Sequence, residues 1–366
     1  MPPRRPDARD HGVVVPFDPE APPAQLERIA PARVLERWGA VDRSAYAPEI
    51  VAVPDDAGEG WAGAALVTAR PRTAYTKIVD AVGDVPAAVE AVVAHARGRG
   101  HVQVKWEGWT VSAAQAAALG FAPLRAPAGS EEDASRPRTG HVRWLGGGGA
   151  AEPPYYRQST NFTCGAVVAL IAQVHAGAVP GESLDRPAEL TLWRDATNFP
   201  ACEPVGLGVA VRRAWPSSPV TVFLDTDRPV LLDSYSEEEG EWRAVLQRAS
   251  RADAAEAGVP LDPHRLSLAA VRGAIARGDR ILLLVSLDAM QGFDVPHWVL
   301  CHGAVPGAVV IEDPWTNDTT GDTWVDAHLL PVPDSALDEM SAMGQDGYRG
   351  AVGIGTPQGG RPPRHR

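Results

Sequence analysis

Gln158-Ser159-Thr160-Asn161-Phe162-Thr163-Cys164-Gly165-Ala166-Val167-Val168-Ala169-Leu170-Ile171 is the stretch on which the reading of this chain turns. Polar, turn-forming residues give way at Cys164 to an unbroken apolar run, which predicts a helix over 164–175. A thiol at the first position of a helix lies at the positive end of the dipole, where the thiolate is favoured. Gly165 behind it would let backbone or substrate approach closely. Gln158, six residues upstream, supplies a neutral amide donor of the kind that suits a developing oxyanion. The plainer account of Cys164 alone is a small buried hydrophobe, since cysteine is among the most buried residue types.

A nucleophilic thiol needs an imidazole and a group to orient it. The segment Asp294-Val295-Pro296-His297-Trp298-Val299-Leu300-Cys301-His302-Gly303 places His297 at the start of a strand. His302, five along, points to the opposite face of an ideal strand. Asp313 lies in Ile311-Glu312-Asp313-Pro314-Trp315, at the end of the neighbouring strand and 16 residues after His297. The turn Val305-Pro306-Gly307 makes those two strands a hairpin, which brings the His297 and Asp313 side chains within mutual reach. Taken singly, His297 reads as a satisfied core histidine and Asp-Pro as a turn initiator.

Working outward, the second half of the chain predicts helices over 189–196, 206–214, 241–257 and 267–277. Strands follow over 281–287, 297–304, 308–311 and 348–354. Helices first and an antiparallel sheet after is an α+β arrangement. In the first half, strands over 50–54, 63–69 and 76–82 precede a helix over 86–97, a strand over 101–106, a helix over 111–119 and a strand over 121–124. That order describes an α/β layer domain. The stretch 127–154, with four consecutive glycines at 146–149 and Pro153-Pro154, reads as loop. The expected organisation is a frayed tail over 1–12, a first domain over 13–145, a Gly/Pro linker over 146–154, a second domain over 155–355 and a tail over 356–366.

The whole chain has 366 residues, 34 basic and 46 acidic, for a formal charge of −12. A surface this acidic is repelled by phosphate backbones, so no nucleic-acid partner is expected. Its longest apolar runs are too short to span a bilayer, and the N-terminus lacks the apolar core of a secretory signal, so no membrane partner is expected. Three widely spaced cysteines, Cys164, Cys202 and Cys301, form neither a disulfide framework nor a CxxC zinc pair. The expectation is a cytoplasmic protein with reduced thiols, no metal and no organic cofactor, its oligomeric state open. Lys77, Lys105, Trp106, Glu107 and Trp109 form a polar-aromatic group that reads as solvated surface with ordinary packing, a peptide-binding patch being the alternative.

Gln–x5–Cys-Gly at a helix start, Pro-His-Trp-Val on a strand and Asp-Pro after the next strand occur here in that order. In this the sequence resembles the papain-like cysteine peptidases that process bacteriocin leaders at double-glycine sites. It is most similar to a soluble bacterial branch of that group, in which such a domain follows a GNAT N-acetyltransferase-like segment. The resemblance covers roughly 155–355, including the stretches beginning at Glu189 (Glu-Leu-Thr-Leu-Trp-Arg-Asp-Ala-Thr) and at Phe223 (Phe-Leu-Asp-Thr). It implies Cys164 as nucleophile, His297 as base, Asp313 as the orienting carboxylate and Gln158 as oxyanion donor. The implied activity is cleavage of an amide bond in a peptide or protein substrate. Acyl transfer or peptide ligation by the same groups, and non-catalytic peptide binding, are the alternatives.

The leader peptidases are usually fused to a transporter, and this chain has neither membrane spans nor a Walker loop, so double-glycine specificity is not implied. The related branch has glycine after its second cysteine, where this chain has Glu203; Cys202 is expected to be a buried structural thiol. The first domain resembles a GNAT fold in its strand–helix order and in Leu119-Gly120-Phe121-Ala122-Pro123-Leu124. The turn that would hold an acyl-CoA pyrophosphate, Val82-Gly83-Asp84-Val85-Pro86-Ala87, has one glycine and an aspartate that opposes a phosphate. Acetyl-CoA binding is therefore not expected.

Overall fold

The computed structural model describes residues 12–129, 137–196 and 201–356. The expected frayed ends and the acidic loop at 129–133 fall largely outside these residues. The chain divides into two compact units. Unit 1 comprises Met1–Ala126, Ser130–Gly149 and Thr316–Pro331; unit 2 comprises Pro127–Gly129, Ala150–Trp315 and Val332–Arg366. The sequence reading assigned all of 155–355 to one domain, whereas contacts assign sixteen of its residues, Thr316–Pro331, to unit 1.

Unit 1 is built on a seven-stranded sheet in the order β1-β2-β3-β4-β5-β7-β6. Its strands are β1 (Val13–Pro16), β2 (Glu49–Pro54), β3 (Trp61–Thr68), β4 (Tyr75–Gly83), β5 (Gln103–Glu107), β6 (Ala122–Pro123) and β7 (Gly140–Trp144). Its helices are α1 (Ala24–Ile29), α2 (Ala32–Gly39), α3 (Val85–Gly98) and α4 (Ala113–Ala118). Neighbouring strands run antiparallel except β4 and β5, which pair in parallel over Tyr75–Ile78 and Gln103–Trp106 and are joined through α3. A crossover helix is what parallel neighbours require. The apolar side of α3 (Ala88, Val89, Val92, Val93, Ala96) packs on one face of the sheet against Val51, Ile78, Val104 and Trp106. Leu26, Val34 and Trp38 of α1 and α2 cover Ile50, Ala52, Leu66 and Val79 on the other.

Two features of unit 1 depart from the sequence reading. The stretch 127–154 read as loop, yet β7 lies within it and pairs with β5 over all five residues. At Gly140, the first residue of β7, an added Cβ would stand 2.7 and 2.9 Å from Val325 and Trp324, so the glycine admits the 316–331 segment. That segment is also why Lys77, Lys105 and Glu107 are buried rather than solvated, while Trp106 is buried on the opposite face in the core under α3, against Phe121. Lys77 pairs with Asp326 and with Glu107. The Lys105 ammonium donates to the carbonyls of Asp326 and His328, at 2.8 and 2.6 Å. Arg70 pairs with Asp322, and the Tyr75 hydroxyl donates to Asp326 at 2.6 Å. Of the group that read as a peptide-binding patch or as surface, Lys77, Lys105 and Glu107 thus bind the chain's own residues 323–328, and Trp109 donates to Glu107 at 2.6 Å. Burial opposes the charge on Asp326, but Lys77 and Arg70 outweigh it and hold that carboxyl well below the usual carboxylate range.

Unit 2 begins with α5 (Cys164–His175), α6 (Arg186–Ala196), α7 (Pro204–Ala214) and α8 (Glu237–Glu256), with α9 (Leu268–Ala276) and α10 (Asp288–Gln291) following. Its sheet has the order β13-β12-β11-β10-β14-β8-β9. These strands are β8 (Val220–Leu224), β9 (Leu261–Asp262), β10 (Arg280–Ser286), β11 (Pro296–Val305), β12 (Ala308–Glu312), β13 (Leu330–Pro333) and β14 (Gly350–Ile354). In the sheet expected to be antiparallel, β12-β11-β10-β14-β8 is so, but two-residue β9 runs parallel to β8. Helix α11 (Trp324–Ala327) belongs to the segment in unit 1, and α12 (Asp334–Met340) follows β13.

Helix α5 carries no polar face over its first nine residues and is buried from Cys164 to Gln173. A helix apolar all round belongs inside a core. It packs with Trp298 and Leu300 of β11, Leu282 and Leu284 of β10, and Val205, Leu207 and Val209 of α7. This burial fixes where its first residue stands.

Candidate functional site

The structure brings Cys164, His297 and Asp313 together. Cys164 opens α5 and is 8% exposed. The His297 ring is hydrogen-bonded to Asp313, with Nε2 at 2.8 Å from Oδ1, and lies close enough to the Cys164 thiol for the sulfur to raise its pKa. The hairpin of β11 and β12 sets that second contact, because Leu300 faces Glu312 and Cys301 faces Ile311 across it. Asp313 follows directly, and its Oδ1 also accepts the Trp315 amide at 2.9 Å. With Nε2 committed to the carboxylate, Nδ1 is the ring nitrogen left for the thiol.

Burial acts to lower the His297 pKa. The Asp313 carboxylate and the Cys164 sulfur outweigh it, and the ring is raised to about 10. An imidazolium held between a carboxylate and a sulfur is the partner a thiolate requires.

Gln158 is buried in the loop leading to α5. Its backbone N–H donates to the Pro314 carbonyl at 2.9 Å, tying this loop to the residue after Asp313. Its side-chain amide donates to Thr160 O at 2.7 Å, and Oε1 has no partner among the described residues. Two aromatic pairs involve neighbours of the triad in sequence. Phe162, two residues before Cys164, stacks on Trp193 with centroids 5.0 Å apart, and Phe293 meets Trp315 edge-on at 5.7 Å. Phe162 remains 38% exposed.

The other candidates fall elsewhere. His302 packs edge-on against His175, the last residue of α5, and stands beside Glu312. Eleven residues of helix separate His175 from Cys164, about 16 Å at 1.5 Å per residue. Cys202 is buried, and that burial pushes its thiol well above the ordinary range. Its carbonyl accepts from Trp298 Nε1 at 3.0 Å. Cys301 is wholly buried, and burial raises its thiol to about 12. Gly165 gives room to packing, not to a substrate: an added Cβ would stand 3.1–3.3 Å from Trp298, Cys202 and Leu207.

Glu189 is the site residue that its own chemistry did not reveal in the sequence. It is fully buried in the first turn of α6 and accepts from the Ser159 amide, the Thr163 hydroxyl and the Tyr156 hydroxyl. The only available signal was its place at the head of the stretch shared with the related peptidases.

In unit 1, the turn into α3 does not fit a pyrophosphate. Asp84 is the N-cap residue, and its carboxylate accepts from the Ala87 amide at 3.1 Å, filling with negative charge the place an anion would take. No group of three or more metal-ligating side chains is assembled among the described residues, and no helix there is long and apolar enough to cross a membrane.

Comparison with solved structures finds likeness to both kinds of protein that the sequence resembles. A putative C39-like peptidase from Bacillus anthracis is 11% identical, with 55% of this chain and 93% of that one covered and a TM-score of 0.30. A GNAT family N-acetyltransferase from Escherichia coli in complex with CoA is 13% identical, covering 39% of this chain and 86% of that one at a TM-score of 0.28. Nourseothricin acetyltransferase is 18% identical at a TM-score of 0.23; 27% of this chain is covered, and it spans 66% of that protein's length. No curated protein matches the chain. A family profile described as Peptidase_C39 like matches residues 153–355, more than half of the sequence and the whole stretch from the Gln158 loop through Asp313 to β14, and the chain belongs to that family.

Proposed function

We propose that unit 2 is a thiol hydrolase acting on peptide amides, with Cys164 as nucleophile, His297 as acid–base and Asp313 as the group that orients the ring. The observation that carries this reading is the place of His297, hydrogen-bonded to a buried carboxylate on one side and close enough to the thiol at a helix N-terminus for that sulfur to raise its pKa. The Cys164 sulfur attacks the amide carbonyl carbon, a C–S bond forms, and the carbonyl electrons move to oxygen. Helix-initial amides have no intrahelical partner, which supports the Cys164 N–H as a donor to that oxyanion, with the second amide hydrogen of Gln158 as the other. The C–N bond then breaks as His297 protonates the departing amine. Water, deprotonated by His297, attacks the thioester and returns Cys164. The aromatic pairs around Phe162 and Phe293 suit a substrate that presents apolar side chains near the cleaved bond.

The test is competitive alkylation. Iodoacetamide should modify Cys164 far faster than Cys202 or Cys301, and His297→Ala should slow that modification. Equal rates at all three thiols would overturn the reading. A parent protein that labels selectively at Cys164 but releases amide products to an added amine rather than to water would identify an acyl transferase.

A further inference from the structure

Glu189 has an unusual position for a carboxylate. It is fully buried, and its three hydrogen-bond donors all come from one short loop, the one that ends at Cys164. Oε1 accepts the Ser159 amide at 2.8 Å and the Thr163 hydroxyl; Oε2 accepts the Tyr156 hydroxyl at 2.9 Å. Ser159 follows Gln158 and Thr163 precedes Cys164. Thr163 is the N-cap residue of α5, where a hydroxyl would ordinarily accept from the helix amides. Here its side chain makes no such cap and is turned to Glu189 instead. That leaves the first amides of α5 uncovered by the residue best placed to cover them. Thr160, whose carbonyl receives the Gln158 amide, is drawn in as well, its hydroxyl 3.0 Å from that of Thr163.

The geometry points to Glu189 as a positioning residue of the hydrolase, one that holds the Gln158 loop so that the side-chain amide and the α5 N-terminus are presented together to the oxyanion. The inference rests on the thiol-hydrolase reading and deepens it. Hydrogen bonds to a buried carboxylate are among the stronger ones, and removing it takes their acceptor from the buried Tyr156 and Thr163 hydroxyls and from the Ser159 amide at the loop surface. Glutamine in its place keeps the set: Oε1 can accept from Ser159 and Thr163, and Nε2 can donate to the Tyr156 oxygen.

The experiment separates oxyanion stabilisation from thiol reactivity. Acylation of Cys164 by a p-nitrophenyl ester forms a C–S bond through a tetrahedral oxyanion and expels nitrophenolate. Alkylation by iodoacetamide forms a C–S bond at a saturated carbon, expels iodide and builds no oxyanion. Glu189→Ala should slow acylation by about 100-fold, the scale of losing one oxyanion donor, and alkylation by less than about threefold. Glu189→Gln should stay within about threefold of the parent in both reactions. Gln158→Ala should match the acylation loss of Glu189→Ala, and the double variant should lose no more, as expected of groups that act as one unit.

An equal loss in both reactions with a lowered melting temperature, or unchanged acylation, overturns the inference. Should Glu189→Ala fail to fold, Thr163→Val and Tyr156→Phe each remove one grip and should slow acylation severalfold without touching alkylation; no change in either variant overturns it too. A parent whose Cys164 is no more reactive than Cys202 fails the hydrolase reading itself. A parent that acylates, is slowed by Gln158→Ala and is indifferent to Glu189→Ala fails only the present inference.

Discussion

Each unit of this protein buries a cluster of charge, and the two clusters are finished differently. In unit 1, Lys77, Lys105, Arg70, Tyr75, Glu107, Asp322 and Asp326 answer one another with ion pairs and hydrogen bonds. In unit 2, His297 stands between one carboxylate and one sulfur, and Gln158 Oε1, in the loop leading to Cys164, is left without a partner among the described residues. Burying an ion costs several kcal/mol unless it is well partnered. A saturated cluster recovers that cost and has nothing left to offer a ligand. An incomplete one keeps hydrogen-bonding capacity unspent. Saturation, more than burial or charge, separates the structural cluster from the candidate catalytic one.

The sharpest way to break that contrast is to remove one member of each. His297→Ala should lower hydrolysis by about 10⁴-fold, with a fall in melting temperature near neutral pH because Asp313 loses its buried partner. An active variant, measured by steady-state hydrolysis of a peptide or ester, would put the reactive centre elsewhere. Lys77→Met should act on stability alone. It leaves Asp326 and Glu107 buried without their cation and should cost about 3–5 kcal/mol of stability by denaturant unfolding. Hydrolysis per folded molecule should hold. Adding Asp326→Leu should recover much of the loss, since an apolar pair can replace a buried ion pair.

The clusters should also respond at opposite ends of the pH scale, a gentler effect than either substitution. His297 is raised in the folded protein, so its contribution is complete below the unfolded value near 6.5 and is lost as pH climbs through about 10. Asp326 is depressed, so its contribution is complete above the unfolded value near 4 and is lost as pH falls through its lower folded value. Melting curves across pH should show His297→Ala flattening only the alkaline limb and Lys77→Met altering the acid one. Smaller still, Gly165→Ala should cost about 1–3 kcal/mol by crowding Trp298, Cys202 and Leu207. No thermal shift there would mean that the packing behind Cys164 is looser than its distances imply.

Much of unit 2 was legible because its signals are local. The helix expected over 164–175 is α5 to the residue, and β10, β11 and β12 fall within a residue or two of the strands expected at 281–287, 297–304 and 308–311. Apolar runs bounded by Gly, Pro and Asp carry that information along the chain. Helices α1 and α2 went unread, the first behind Pro22-Pro23 and the second behind Pro31. Strand β7 was hidden by the glycines beside it, being recognisable only from its pairing with β5. The burial of Lys77 and Lys105 depends on residues more than 200 positions away, and no periodicity reports such a distance. Glu189 was missed for the same reason: a lone acid in a first helical turn is ordinary, and only folding shows three donors converging on it.

The excursion of Thr316–Pro331 into unit 1 has a consequence for how this protein can be taken apart. The backbone leaves unit 2 at Trp315, two residues past Asp313, and rejoins it at Val332. Scissors applied at the glycine run would not yield two independent modules: the C-terminal piece would keep Asp322 and Asp326 while forfeiting Arg70, Lys77 and Lys105. Recombination that shuffled either half to a new neighbour would meet the same obstacle, so inheritance of the two halves as a single cassette is written into the threading of the polymer.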